Sequence, residues 1–392
     1  MTARFHKARG FSLVELMVSV VIGMLALLFA TRLLTGAEQN RQSAMGGSDS
    51  MQSGMLALFS ISSDAGQAGY GINNKLAIGC NTIFSDKGGF TLAAASRDAT
   101  AIHPMAPVVI ESNAGGADKV TFYSGTSVAG TASLRVLVSY TSGSRIYVDR
   151  VPYGFAQGDA ILVVPEPAGT DCALAQLSES PDSLPPPPGQ QYVVVGEGSG
   201  YRFNTGNLGA SFTGSGARLF NLGPAQALYF HTWSVADGFL SLSATNIGSN
   251  AAAAAVADNI VSLKAQYGFD TRPGNAFQPA SGLQVTQWSS TMIDADGSAV
   301  TGDAGDWQRI AAVRLAVVAR SKNPERPAAG TSCSATADAD KPVAFGTKAP
   351  AGVAAVPVTI NVAVTGDAVD WHCYRYRVFE TIVPFRNASW RP

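Results

Sequence analysis

From Phe11 to Leu34 the chain runs FSLVELMVSVVIGMLALLFATRLL, apolar at nearly every position, with one acid (Glu15) and one base (Arg32) inside it. A helix that is apolar all round belongs in a membrane or a deep core, and these 24 residues exceed the roughly 20 needed to cross a bilayer. Downstream the pattern changes. Between Gln39 and Tyr70 polar residues mix with helix formers, while Met51, Met55, Leu58 and Phe59 recur at helical spacing and predict an apolar face packed on a sheet. Gly46, Gly47 and Gly54 each cost about 1 kcal/mol relative to alanine, so they mark where this helix would bend or melt. A helix continuing to Ala68 would be about 87 Å long at 1.5 Å per residue.

From Tyr70 onward the period shortens to that of strands. Segments beginning near Pro107, Lys119, Leu134, Arg145, Ala160 and Tyr192 are short, rich in β-branched residues and bounded by turn residues. A second group begins at Ala227, Phe239, Asn259, Arg309 and Tyr374. Val313, Leu315 and Val317 alternate with Arg314 and Ala316, and Tyr374, Tyr376 and Val378 alternate with Arg375 and Arg377, which predicts an antiparallel, half-buried sheet. Pro185 to Pro188 read as a stiff spacer or loop, and the alanine run around Ala251 as a connector. The expected fold class is α+β, with a long N-terminal helix on a large β-rich head.

Residues 1–10 carry Arg4, Lys7 and Arg9 and no acid, so the positive-inside rule keeps them cytoplasmic and delivers the remainder across the membrane. The apolar run is too long for an ordinary secretory signal, and a carboxylate within it costs about 2.5–3.5 kcal/mol at the helix centre, less toward the ends. Glu15 therefore either sits at the headgroup level or has a partner. Gly10-Phe11-Ser12-Leu13-Val14-Glu15 resembles the cleavage and methylation motif of type IV pilins and type II secretion pseudopilins. The resemblance implies cleavage after Gly10, an N-methylated Phe11 as the new terminus, and an assembly role for Glu15. Physical logic agrees, because an amine and a carboxylate that are each costly in the membrane become cheaper when paired.

Further pieces extend the likeness: Asp64 with AGYG (Ala68 to Gly71), Cys80, YGFDT (Tyr267 to Thr271), Trp307 to Val318, and RVFETIVPFRN (Arg377 to Asn387). In this order they resemble the PilW group of minor pilins. That resemblance implies a non-catalytic subunit that helps initiate and cap a type IV pilus. Its implied partners are other minor pilins, the major pilin, a prepilin peptidase, an inner-membrane assembly platform and a tip adhesin. Alternatives are a type II secretion pseudopilin and a tip-located adhesive or DNA-binding module. The implied organisation is a leader (1–10), a membrane half of the helix (11–34), an extracytoplasmic half (35–70) and a head (71–392) divisible at 225/226. Before assembly the chain would be a single-pass inner-membrane protein with a periplasmic head, and afterwards it would stand at the pilus tip.

Charged residues make up only 14% of the chain and net charge is −1, to which the basic leader contributes. General nucleic-acid binding, which needs an excess of cations, is excluded, leaving only a local patch around Arg375 and Arg377. Cys80, Cys172, Cys333 and Cys373 are even in number and extracytoplasmic, so disulfides are expected. Of three connectivities, pairing in chain order closes the shorter loops and is favoured, Cys80 with Cys172 and Cys333 with Cys373. His372 beside Cys373 lacks the neighbours of a metal site. No His-Glu-x-x-His, Gly-x-Ser-x-Gly or phosphate-loop motif is present, and no cofactor is implied. Asp294, Asp296 and Asp303, with Gly297 and Asp306, form an acidic loop that offers calcium oxygen ligands but lacks the closing bidentate acid of an EF-hand.

Overall fold

The computed structural model describes residues 12–127, 133–166, 171–181, 191–196, 200–203, 206–247, 252–327 and 330–389. Helix α1 (Leu13–Gln67) is unbroken over 55 residues. It neither bends apart nor melts at Gly46, Gly47 or Gly54, and at 1.5 Å per residue it is roughly 80 Å long. Its end is closed by Asn387, whose side-chain amide donates to the carbonyls of Gln67 and Ala68 at 3.1 and 3.2 Å. Gly69, at φ 85°, then turns the chain so that its N–H donates to the Tyr123 carbonyl at 2.8 Å.

The head begins with β1 (Cys80–Ile83), the hairpin β2 (Ala95–Arg97) and β3 (Thr100–Ile102), β4 (Pro104–Met105), β5 (Val108–Glu111), β6 (Lys119–Ser124) and β7 (Ser133–Arg135). Next come β8 (Arg145–Tyr147), β9 (Asp159–Pro165), β10 (Cys172–Gln176), β11 (Tyr192–Val194) and β12 (Ala217–Pro224). The C-terminal part holds β13 (Tyr229–Ala236), β14 (Phe239–Ala244), β15 (Ala254–Asp258), β16 (Ile260–Phe269), β17 (Gln287–Ser289), α2 (Ala304–Gln308) and β18 (Ile310–Arg320). It closes with β19 (Val343–Ala344), β20 (Val358–Thr359), β21 (Tyr376–Pro384) and α3 (Arg386–Ser389).

Three larger sheets form, in orders β4-β1-β10-β9-β12-β7, β15-β14-β13-β6-β5 and β17-β16-β18-β21. Pairing is antiparallel except between β1 and β10, which run parallel and are joined by the Cys80–Cys172 disulfide. The five-stranded sheet combines strands from both sides of residue 225. A separate core lies within the first part, where Ile161 and Val163 of β9 face Val136, Val148 and Leu219, while Leu162 and Val164 face the main core. Ala254–Asp258, read from sequence as a connector, is edge strand β15, its backbone paired antiparallel with β14 from Leu242 opposite Ala254 to Phe239 opposite Asp258.

The four-stranded sheet departs most from expectation. Every residue of β16 is buried, and of β18 all but Arg320. Val313, Leu315 and Val317 face α1, where Ala57, Ile61 and Ala65 meet them. Ala316 and Val318 face an arm contributing Ala344, Phe345, Ile360 and Val362. The base of that arm is stapled by the Cys333–Cys373 disulfide. A strand covered on both faces cannot be half-buried, so the alternating Arg314 of β18 is enclosed as well. Its Nη2 donates to the Thr347 carbonyl at 3.1 Å and lies 3.3 Å from Glu380.

Candidate functional site

Two regions carry the chain's special chemistry: the N-terminal end of α1 and the seam where α1 meets the head. Gly10 and Phe11 lie outside the described residues. Glu15 occupies the first helical turn, exposed, among side chains that are exposed all round, such as Leu13 at 76% and Phe29 at 67%. Leu13–Glu38 is long and apolar enough to cross a membrane, and none of it is buried by the head.

The seam reverses the expected face of α1. Gly46, Ser50, Gly54, Ala57, Ile61 and Ala65 are buried, while Met51, Met55 and Phe59 are exposed and Leu58 is half-buried. Small residues at this spacing let the helix axis approach the sheet closely, and a Cβ on Gly54 would overlap the Phe379 ring of β21. Large apolar side chains are thereby left outside. The sequence signal was present as small residues three and four apart, a pattern that hydrophobicity alone ranks below the methionines.

One polar lock fixes the seam. Asp64 Oδ2 accepts from Trp233 Nε1 at 2.8 Å and lies 2.8 Å from His231 Nδ1, whose Nε2 is 2.8 Å from Asn246 Oδ1. His231 and Trp233 stand two apart on β13 and so share one face of the sheet. The Asp64 side chain is mostly buried at 19% exposure, and the ring of His231 at 7%. In the sequence Asp64 stands out only through the family likeness, and the signal available for His231 is a His-x-Trp pair on a strand. Ser53 adds a hydrogen bond to Asp258 at 3.1 Å.

The acidic loop is engaged in holding itself together. Asp294 accepts from the N–H groups of Gly297 and Ala299, Asp296 from Ser298, and Asp303 caps α2 through the N–H of Asp306. Asp306 accepts from Ala295, Asp296 and Gly302. Oxygens of Asp294, Asp296 and Asp306 lie within 4.8 Å of one another, so Asp306 rather than Asp303 joins the tight group. Burial pushes the Asp306 carboxyl up to about 6 against the pull of its three backbone donors, with Asp303 adding to the rise. Elsewhere, Arg375 pairs with Glu325, and His372 sits between Asp370 and Asp338.

A single apolar span continuing without a break into a helix seated on an antiparallel β head defines a pilin-like architecture. The comparisons agree. Residues 5–31 match the prokaryotic N-terminal methylation motif, and residues 232–387 match the type IV pilus-assembly protein W family, PilW. Together the two matches fit a class III-type prepilin, a minor pilin of the PilW group, which is a structural pilin-like family rather than an enzyme family. No curated protein and no solved structure matches the chain.

Proposed function

We propose that this minor pilin takes part in initiating a type IV pilus and caps its tip, after removal of residues 1–10 and N-methylation of Phe11. The reading rests on one observation beyond the family matches. Apolar exposure does not stop where a membrane span would end: Met45, Leu56 and Phe59, on the side of α1 away from the sheet, are 53%, 50% and 71% exposed. The bilayer accounts for residues 13–34, but the later residues stand beside the head, where a lone soluble domain would bury them. Neighbouring helices of other minor pilins and the major pilin supply that cover. The prepilin peptidase, the assembly platform and a tip adhesin complete the set of partners, and the head passes from the periplasm to the pilus tip.

Glu15 neutralises the terminal amine of a neighbouring subunit, a pairing whose loss costs about 3 kcal/mol. Intact-mass measurement after co-expression with a prepilin peptidase should show loss of residues 1–10 plus one methyl group. Glu15→Gln should be cleaved normally yet restore piliation poorly in a deletion strain. Cleavage at another position would sink the proposal, and a deletion that leaves piliation intact while abolishing enzyme secretion would replace it with a pseudopilin role.

A further inference from the structure

The outer edge of β21 is unpaired. Phe385 N donates to Ala311 O and Ser321 N to Arg375 O, which fixes the phase of the ladder: residues 377, 379, 381 and 383 bond to β18. The N–H groups of Val378, Glu380 and Ile382 then point away from the sheet, and among the described residues nothing accepts from them. Every residue of this nine-residue strand keeps solvent contact, whereas β16, two strands in, is wholly buried. Natural edges of this length are usually covered, bulged or very short.

The edge lies under an apolar shelf. Gly54 of α1 abuts Phe379 of β21, and a groove on the opposite side of the helix is lined by Asp49, Gln52, Ser53 and Leu56 together with β15. At 3.6 residues per turn, Met51, Met55 and Leu58 therefore occupy the flank above β21. Met51 and Met55 are 46% and 56% exposed, and Leu58 packs half-buried on the same core as Phe379 and Val383. At the start of the strand, Arg377 is exposed with no carboxylate in ion-pair range among the described residues.

We propose that β21 is a docking edge for an extended segment of a different protein chain, added antiparallel to the sheet. Apolar side chains at every second position of that segment lie beneath Met51, Met55 and Leu58, and a carboxylate near its C-terminal end meets Arg377. Unpaired backbone groups give the affinity and the shelf with its single cation gives the choice of partner. A second copy of this chain is the wrong occupant. α1 and β21 run in the same direction, since Gly46 meets Ser321, Gly54 meets Phe379 and Gln67 meets Asn387. A two-fold axis that set β21 antiparallel to itself would also reverse α1, and two spans inserted in one membrane with one topology cannot be so related. That exclusion rests on the membrane anchoring proposed above; the unpaired edge does not.

The test uses the full chain in detergent micelles and the acetylated, fluorescently labelled peptide TVTVTVTET. In the free chain, hydrogen exchange should be fast at Val378, Glu380 and Ile382 and slow at Phe379, Thr381 and Val383. Peptide binding, followed by anisotropy, should saturate and protect the first set. Val378→Pro and Ile382→Pro each remove an outward N–H group, which an edge strand tolerates, and each should weaken binding at least ~10-fold while exchange in β18 stays slow. Peptide TVTVTVTKT should bind about tenfold more weakly than the acidic peptide, and Arg377→Glu should reverse that order. The proposal is overturned by equal affinity of the proline variants and the native chain, by no saturable binding up to about 1 mM, or by outward N–H groups already protected in the free chain.

Discussion

Gly54→Ala sets two opposing effects against each other at one atom. In an isolated helix the change stabilises by about 1 kcal/mol, because alanine loses less backbone entropy on folding. Here the new Cβ would fall within the volume of the Phe379 ring, touching Cδ2, Cε2 and Cζ, so either the ring or the helix must move. Such overpacking costs about 1–3 kcal/mol, which outweighs the gain and leaves the protein less stable by up to ~2 kcal/mol. Gly47→Ala is the matched control: nothing lies within 4 Å of its added Cβ, so the full gain of 0.5–1 kcal/mol, order of magnitude, should appear. Denaturant unfolding of the full chain in detergent, followed by fluorescence of the buried Trp233, Trp288 and Trp307, measures both. The double variant Gly54→Ala/Phe379→Leu should recover more than 0.5 kcal/mol, roughly, relative to the sum of the single changes. If Gly54→Ala stabilises as much as Gly47→Ala, close approach does not explain the small-residue seam.

Removing the polar lock should loosen the same seam. Asp64→Ala leaves the Trp233 indole N–H and His231 Nδ1 without their acceptor and should cost about 1–3 kcal/mol, with faster hydrogen exchange over residues 57–67; Asp64→Asn, which keeps one acceptor, should cost less. Unchanged exchange in both variants would show that packing alone holds the helix. The raised Asp306 carboxyl means that the folded chain binds this proton more tightly than the unfolded chain does. Its contribution to stability is therefore fully present below pH ~4 and lost as pH rises through about 6. Carboxyl carbon shifts should titrate near pH 6 at this residue, and a midpoint in the ordinary carboxylate range would mean that its three backbone donors prevail over burial.

The long apolar helix, the β-rich head and most strand positions are legible because they depend on local composition, and Phe11 to Leu34 and the Val-rich strands are unambiguous in those terms. The faces were harder. Met51, Met55 and Phe59 satisfy every rule for an inward stripe, yet the inward residues are Gly46, Ser50, Gly54 and Ala57, chosen for the distance between helix and sheet rather than for hydrophobicity. Alternation around Arg314 suggested a wet face because a strand cannot announce that an arm more than thirty positions away, at Phe345 to Thr347, will fold over it. The Asp64, His231 and Trp233 constellation joins residues separated by 167 and 169 positions, and nothing local marks it. In the acidic loop the residue types suggested a ligand set, whereas the backbone N–H groups that the carboxylates accept from become visible only once the loop is closed.

The alignment of α1 with β21 also fixes how the molecule carries load. A pull along the helix axis meets the seam in shear: Gly54 against Phe379, Asp64 against His231 and Trp233, and Asn387 over the last helical carbonyls all resist together rather than peeling apart in turn. The strands that receive the force, β18 and β21, lie side by side along that direction and are joined through nine register pairs. Rupture would require many contacts to fail at once, so the helix and the head behave mechanically as one rod, and the rate of forced separation is governed by the barrier to unfolding rather than by the equilibrium strength of any single contact.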